Sequence, residues 1–238
     1  MTDDKHPNRR ILEETVARLG SLADEMVFLG GCATSLLITD LGAAEVRVTY
    51  DVDVITEVVS YFEYHALGQK LRAQGFREEA GNEEPAVICR WRHGPLLLDV
   101  MPTDEKVLGF GNQWYASAAR HADRLQLTPE HVIRLISPAY FLATKLEAFD
   151  GRGGGDFLAS HDIEDIVSVI DGRQALPDEI ADADTPLRQY LAHRFESFLK
   201  QPPFVAAVAG HLPPDVISQQ RTKLVIQRIR QIAGAAGL

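Results

Sequence analysis

Arg47-Val48-Thr49-Tyr50-Asp51-Val52-Asp53-Val54 is the stretch on which the reading of this chain turns. Its alternation, continued to Thr56, predicts a strand over Arg47–Thr56. Asp51 and Asp53 stand at i and i+2, so a strand turns both to one face. Two neighbouring carboxylates repel, and withdrawing them from water is costly without a partner. A divalent cation is the usual partner. Hard oxygen ligands suit Mg²⁺, with Mn²⁺ as a substitute, and Mg²⁺ commonly brings substrate phosphates with it. The alternative is a pair of exposed strand residues with basic partners. Arg47 and Thr49 precede the pair at alternate positions and are expected on the same face. There Arg47 would orient the carboxylates, contact phosphate or form a structural ion pair.

Upstream, Met26–Leu29 reads as a short buried strand running into Gly30-Gly31 and an apolar helix over Cys32–Thr39. Two glycines at such a turn let backbone N–H groups approach a phosphate at the helix start, or simply make a tight turn. Arg9–Leu22 is an amphipathic helix, and Ser60–Gln74 a helix closed by Gly75. Ala86–Arg92 and Pro95–Met101 read as strands joined at His93-Gly94. That hairpin puts Asp99, in Leu96-Leu97-Leu98-Asp99-Val100, on a strand able to lie beside Asp51 and Asp53. Trp114–Arg124 is read as a strand and then a turn, and Val132–Ile136 as a short strand.

Pro138–Phe149 is a helix after Ser137, with Lys145 on an otherwise apolar stretch. Buried, that ammonium needs a partner; the alternative is a lysine snorkelling at the surface. Arg152 falls in a glycine loop, Gly151–Gly155. Ser160–Asp171 is a helix with Asp162 and Asp165 on one face. After Gly172 no strand signal remains: Pro177–Pro186 reads as an acidic loop, and Leu187–Leu199, Phe204–Ala209 and Val216–Ile232 as helices.

A strand ending in Gly-Gly, a helix, a strand carrying Asp-x-Asp and a third Asp on a later strand resemble the nucleotidyltransferase superfamily. Arg47-x-Thr49-x-Asp51-x-Asp53, with the Lys145 helix and His161-Asp162-Ile163-Glu164-Asp165-Ile166, looks like the branch named after the abortive-infection toxin AbiEii. The resemblance spans roughly Val27 to Asp171. It implies a polymerase-β-like α/β fold, a mixed sheet with helices over residues 1–136, and a helical domain over residues 137–238 completing an active cleft. The activity implied is transfer of a nucleoside monophosphate from a nucleoside triphosphate, ATP or another, to an acceptor. Asp51, Asp53 and Asp99 would be the metal ligands and Lys145 a catalytic cation. Gly30, Gly31, Thr34, Arg47, Thr49, Arg152 and Asp162 would surround the nucleotide. Where the superfamily often has Gly-Ser this chain has Gly31-Cys32, and Thr34 or Ser35 would replace the missing hydroxyl. The branch further implies a toxin of a toxin–antitoxin system acting on RNA, such as a tRNA acceptor end, with an antitoxin protein as partner. Two rivals stand beside it: a small-molecule, antibiotic-type nucleotidyltransferase, and a nucleotide-binding protein with a relic site.

Composition limits these choices. The formal net charge of −10 over 238 residues argues against nucleic-acid binding driven by counterion release. Arg221, Lys223, Arg228 and Arg230 are either a local basic patch or a solvated helix face. No P-loop, Gly-x-Ser-x-Gly or histidine metal motif occurs. Two cysteines, Cys32 and Cys89, make no disulfide framework. With no bilayer-length apolar run and a polar start, the expected location is the reducing cytoplasm, with no membrane partner.

Overall fold

The structure, a computed structural model, describes residues 6–79, 89–152 and 154–235. Residues 86–88 of the expected Ala86–Arg92 strand lie outside them. The chain forms two compact units. One comprises residues up to Ser35 together with Arg47–Ser137; the other comprises Leu36–Val46 and the residues from Pro138 onward.

Among the described residues, the first unit is built on a seven-stranded mixed sheet. Its strands are β1 (Met26–Leu29), β2 (Asp51–Thr56), β3 (Arg77–Glu78), β4 (Arg90–His93), β5 (Leu96–Pro102), β6 (Asp123–Gln126) and β7 (Val132–Leu135), in the spatial order β3-β4-β5-β2-β1-β7-β6. All four residues of β1 are buried, as a strand flanked on both sides and covered on both faces requires. β2 runs antiparallel to β1 and parallel to β5. Helix α1 (Pro7–Leu19) buries Leu12, Val16 and Leu19 along one stripe, and Pro7 sits in its first turn. Helix α2 is Gly30–Leu37 and α3 is Tyr61–Ala73. Ser60 caps α3 by accepting from the Glu63 N–H at 3.2 Å, and Gly75 follows its end at φ +87°.

Two expectations for this unit are corrected. The strand begins at Asp51 rather than at Arg47. The buried Asn8 side chain takes the backbone polar groups just upstream: it donates to the Arg47 carbonyl at 2.9 Å and accepts from the Thr49 N–H at 3.0 Å. Those groups are thereby satisfied by a helix side chain instead of a neighbouring strand. Trp114–Arg124 is a helix, α4 (Tyr115–Arg120), followed by β6. Tyr-Ala-Ser-Ala-Ala-Arg has no β-branched residue and three alanines, which favours helix, and Ala118 and Ala119 are buried.

The second unit is helical: α5 (Pro138–Arg152), α6 (His161–Gly172), α7 (Leu176–Ala181), α8 (Thr185–Leu199), α9 (Pro202–Gly210) and α10 (Val216–Gly234). α10 packs on α6, α7, α8 and α9. Phe149, Phe157, Phe198 and Phe204 form a ring cluster with centroids 4.9–6.0 Å apart. α7 replaces the expected acidic loop. Pro177 fits a first turn, Asp178 and Glu179 complement the helix dipole, and Leu176 and Ile180, four apart, are both buried. α5 runs on through Gly151 to Arg152, so Arg152 belongs to a last helical turn rather than to a glycine loop.

Residues 36–46 are tied to this unit by side chains from the expected basic cluster. Arg221 donates to Asp171 at 2.7 Å and to Asp40 at 2.7 Å. The buried Arg228 donates to the Ile170 and Asp171 carbonyls at 2.7 and 2.5 Å. Thr39 and Asp40 N–H groups both donate to the Gly172 carbonyl at 2.9 Å. Arg221 and Arg228 are therefore structural ties and not half of an exposed basic patch.

Candidate active site

In the first unit the sheet register assembles the carboxylates. Asp53 on β2 is the direct partner of Asp99 on the parallel strand β5. Directly paired residues share a face, and Asp51 shares it by the period of two. The expectation that the β4–β5 hairpin brings Asp99 beside the pair matches this register. Val52 and Val54, which alternate with the pair, are fully buried, so core packing on the opposite face sets which way the carboxylates point.

The glycine turn lies against the same carboxylates. Gly30 has φ +74°, and a Cβ there would sit 1.8 Å from Asp53 Oδ2. A Cβ on Gly31 would sit 2.6 Å from Thr49 Cγ2 and 2.7 Å from Arg47 Nη2. Although Arg47 and Thr49 are not in the strand, they stand at the turn with Asp53. Alanine at Gly30 would combine a left-handed backbone with this collision. Gly94 serves as the control, since it has φ +58° but nothing within 4 Å of its would-be Cβ. Gly94→Ala is expected to cost about 1–2 kcal/mol from backbone strain alone. Gly30→Ala should cost clearly more in the same urea titration. An equal loss would mean that Asp53 does not press on that turn.

Thr34 is fully buried, and its hydroxyl turns back to the Gly30 carbonyl at 3.4 Å. That bond turns the Thr34 hydroxyl toward the start of its own helix. Ser35 Oγ is buried without a hydrogen-bond partner. Cys32 donates its Sγ hydrogen to the Asn8 carbonyl at 3.0 Å. Burial, reinforced by Asp53, pushes its thiol up to about 12. Burial and Asp99 do the same to Cys89, also to about 12. Both remain neutral thiols beside the carboxylates.

Sequence reasoning missed Arg90. On β4 it is the direct partner of Asp99. Its Nε and Nη2 donate to the two oxygens of Asp99 at 2.7 Å each, and Nη2 also reaches Asp51 Oδ2 at 3.1 Å. The bonds to Asp99 raise the already high pKa of the guanidinium. The available signal was the antiparallel hairpin: counting back across His93-Gly94 from Asp99 lands on Arg90. Among the described residues no three His, Cys, Asp or Glu side chains are gathered closely enough to hold a metal ion. Asp51, Asp53 and Asp99 are three carboxylates on one face of adjacent strands, the type of oxygen ligand that hard divalent cations take.

A second cluster lies within the helical unit. Lys145 on α5 donates to Asp165 at 2.6 Å and to Asp162 at 3.2 Å. Arg152, seven residues on, donates twice to Asp162 at 3.0 and 2.9 Å. Lys145, Asp162 and Asp165 are 6%, 4% and 1% exposed, so the surface-lysine alternative is overturned. Burial works to raise the Asp162 pKa, but the bonds from Arg152 and the charge of Lys145 outweigh it and hold the carboxyl below its usual range.

No family model and no curated protein matches the chain. Among solved structures, the crystal structure of JHP933 from Helicobacter pylori is similar at 11% identity and a TM-score of 0.50, covering 98% of this chain and 94% of that one. The crystal structure of an antigenic nucleotidyltransferase-like protein from Paracoccidioides brasiliensis is similar at 19% identity and a TM-score of 0.48, covering 86% of this chain and 93% of that one. At 11% identity the likeness to JHP933 is one of fold alone.

Proposed function

We propose that this protein is a divalent-metal-dependent nucleotidyltransferase, moving a nucleoside monophosphate from a nucleoside triphosphate to an acceptor hydroxyl. The observation that carries the reading is the pairing of Asp53 with Asp99, with Asp51 on the same face and the Gly30-Gly31 turn against Asp53. Asp51, Asp53 and Asp99 would hold Mg²⁺ or Mn²⁺. Such a cation, when bound, neutralises charge at the attacking and leaving oxygens of the transfer. Gly30 and Gly31 leave the start of α2 bare of side chains, so its N–H groups can donate to phosphate oxygens. Arg47, beside Gly31, supplies a fork suited to phosphate. Asp99 would accept the proton of the acceptor hydroxyl.

The acidic balance of the chain, and the engagement of Arg221 and Arg228 in structural contacts, favour a small cationic acceptor such as an aminoglycoside-type antibiotic over RNA. The toxin reading, with an RNA acceptor, an antitoxin partner and a cytoplasmic site of action, follows from the sequence resemblance alone. Among the described residues no helix is long and apolar enough to cross a membrane.

The test is a thermal melt with each of ATP, CTP, GTP and UTP plus Mg²⁺. A ligand at a hundredfold excess over its Kd adds about 2.7 kcal/mol to the folded state, and EDTA should remove most of the resulting shift. No shift with any of the four would remove nucleotide binding from this site, whereas a shift without transfer to any acceptor would support the relic-site reading. Transfer of labelled nucleotide to tRNA or to an aminoglycoside then separates the acceptors.

A further inference from the structure

We propose that Asn8 is a positioning residue that holds the Arg47 guanidinium at the start of α2 for a phosphate group; this rests on the phosphate-binding reading of Arg47 and the Gly30-Gly31 turn given above. Residues 47–49 lie outside the strands of the sheet, so no strand ladder fixes their backbone. Asn8 stands one turn before Leu12 on the buried stripe of α1 and is itself fully buried. A carboxamide in such a place is costly unless its polar groups are bonded. Both ends are bonded, one on each side of Val48. The amide donates to the Arg47 carbonyl at 2.9 Å, and the side-chain oxygen accepts from the Thr49 N–H at 3.0 Å. The backbone carbonyl of Asn8 accepts from Sγ of Cys32, the residue after Gly31, at 3.0 Å. One residue therefore ties the Arg47–Thr49 segment to the start of α2. The two meet there: a Cβ on Gly31 would stand 2.7 Å from Arg47 Nη2 and 2.6 Å from Thr49 Cγ2. A guanidinium takes phosphate through two parallel bonds, and such a contact needs placement to within about 0.5 Å. Asn8 gives this stretch of backbone the anchorage that a neighbouring strand gives to a residue within a sheet.

Calorimetric titration with inorganic tripolyphosphate and Mg²⁺, at a temperature well below the Tm of every variant, tests this without any turnover. Arg47→Ala is expected to weaken the Kd by about tenfold or more, the equivalent of one charge-assisted hydrogen bond. Asn8→Ala should lower the Tm and also weaken the Kd by about tenfold, although Asn8 touches no ligand. The double variant should bind no more weakly than Arg47→Ala alone, because Asn8 acts through Arg47. Asn8→Ser leaves a hydroxyl and room for a water to satisfy the two backbone groups. It should fold more readily and weaken the Kd in the same direction by less, and it decides the question if Asn8→Ala does not fold. Wild-type Kd in the Asn8 variants, with binding weakened in Arg47→Ala, would overturn the positioning role, because a merely structural asparagine lowers the Tm and leaves the Kd alone. Losses that multiply in the double variant would overturn it as well. Absence of tripolyphosphate binding in wild type, or a wild-type Kd in Arg47→Ala, would instead overturn the phosphate reading of Arg47, and the role of Asn8 with it.

Discussion

Asp53→Asn is expected to lower nucleotidyl transfer by about 10²–10³-fold or more, the range for removing one group that stabilises developing charge. The change is nearly isosteric, so Val52, Val54 and the register with β1 and β5 are undisturbed. The fold should tolerate it. Asp53 faces Asp99 across the strand pair and shares its face with Asp51, so neutralising it removes repulsion. The gain in Tm conferred by Mg²⁺ should shrink. Asp51→Asn should abolish transfer as well, but with a small fall in metal-free stability, because it weakens a bond to Arg90. That bond is partly exposed and is worth at most about 1 kcal/mol. A variant whose Tm collapses, with activity lost only in proportion to unfolding, would remove Asp53 from the metal site.

Lys145→Met is expected to destabilise the helical unit by about 3–5 kcal/mol, the usual cost of removing one partner from a buried ion pair. Its ammonium lies between Asp162 and Asp165, and both buried carboxylates would lose the bonds it donates. A second substitution, Asp165→Asn, should recover part of the loss, since it removes a buried charge that has lost the Lys145 bond at 2.6 Å. The effect carries a pH signature. A carboxyl whose folded pKa is depressed contributes stability above its unfolded value, near pH 4, and loses it as pH falls through the folded value. The deficit of Lys145→Met should therefore be greatest at neutral pH and should narrow below about pH 4. A loss of only a few tenths of a kcal/mol, the surface range of about ±0.5, would mean that the buried cluster is not an energetic unit. Kinetics separate a further role in nucleotide binding: coupling between Lys145→Ala and Asp162→Ala in kcat/KM, beyond their coupling in stability, would show Lys145 acting on the substrate.

Much of the arrangement was legible in the residues. Alternation around Asp51 and Asp53 predicts a strand with both carboxylates on one face, and β2 carries them so. The His93-Gly94 hairpin predicts a strand for Asp99, and β5 lies beside β2. Ser60 and Ser160 mark helix starts, and each accepts a backbone N–H in the first turn. The misreadings share a cause. Arg47–Tyr50 has strand-like alternation, but Asn8, about forty residues away, takes its backbone groups. Arg152 lies in a glycine-rich stretch of low helix propensity, but its bond to Asp162 accompanies the extension of α5 through Gly151. The expected loop before α8 holds α7, because Leu176 and Ile180 are drawn into the core.

The sequence by itself determined which side chains share a face along each element, because the periods of strand and helix are properties of the local backbone. It placed Asp51 with Asp53, Asp162 with Asp165, and the glycines at the start of α2. Tertiary structure decided the partners across elements. Strand register matched Asp53 to Asp99 and Asp99 to Arg90. Helix packing set Lys145 between Asp162 and Asp165. The positive φ of Gly30 laid that turn against Asp53. These pairings depend on burial and hydrogen bonding summed over residues far apart in the chain, and no local window of sequence contains them.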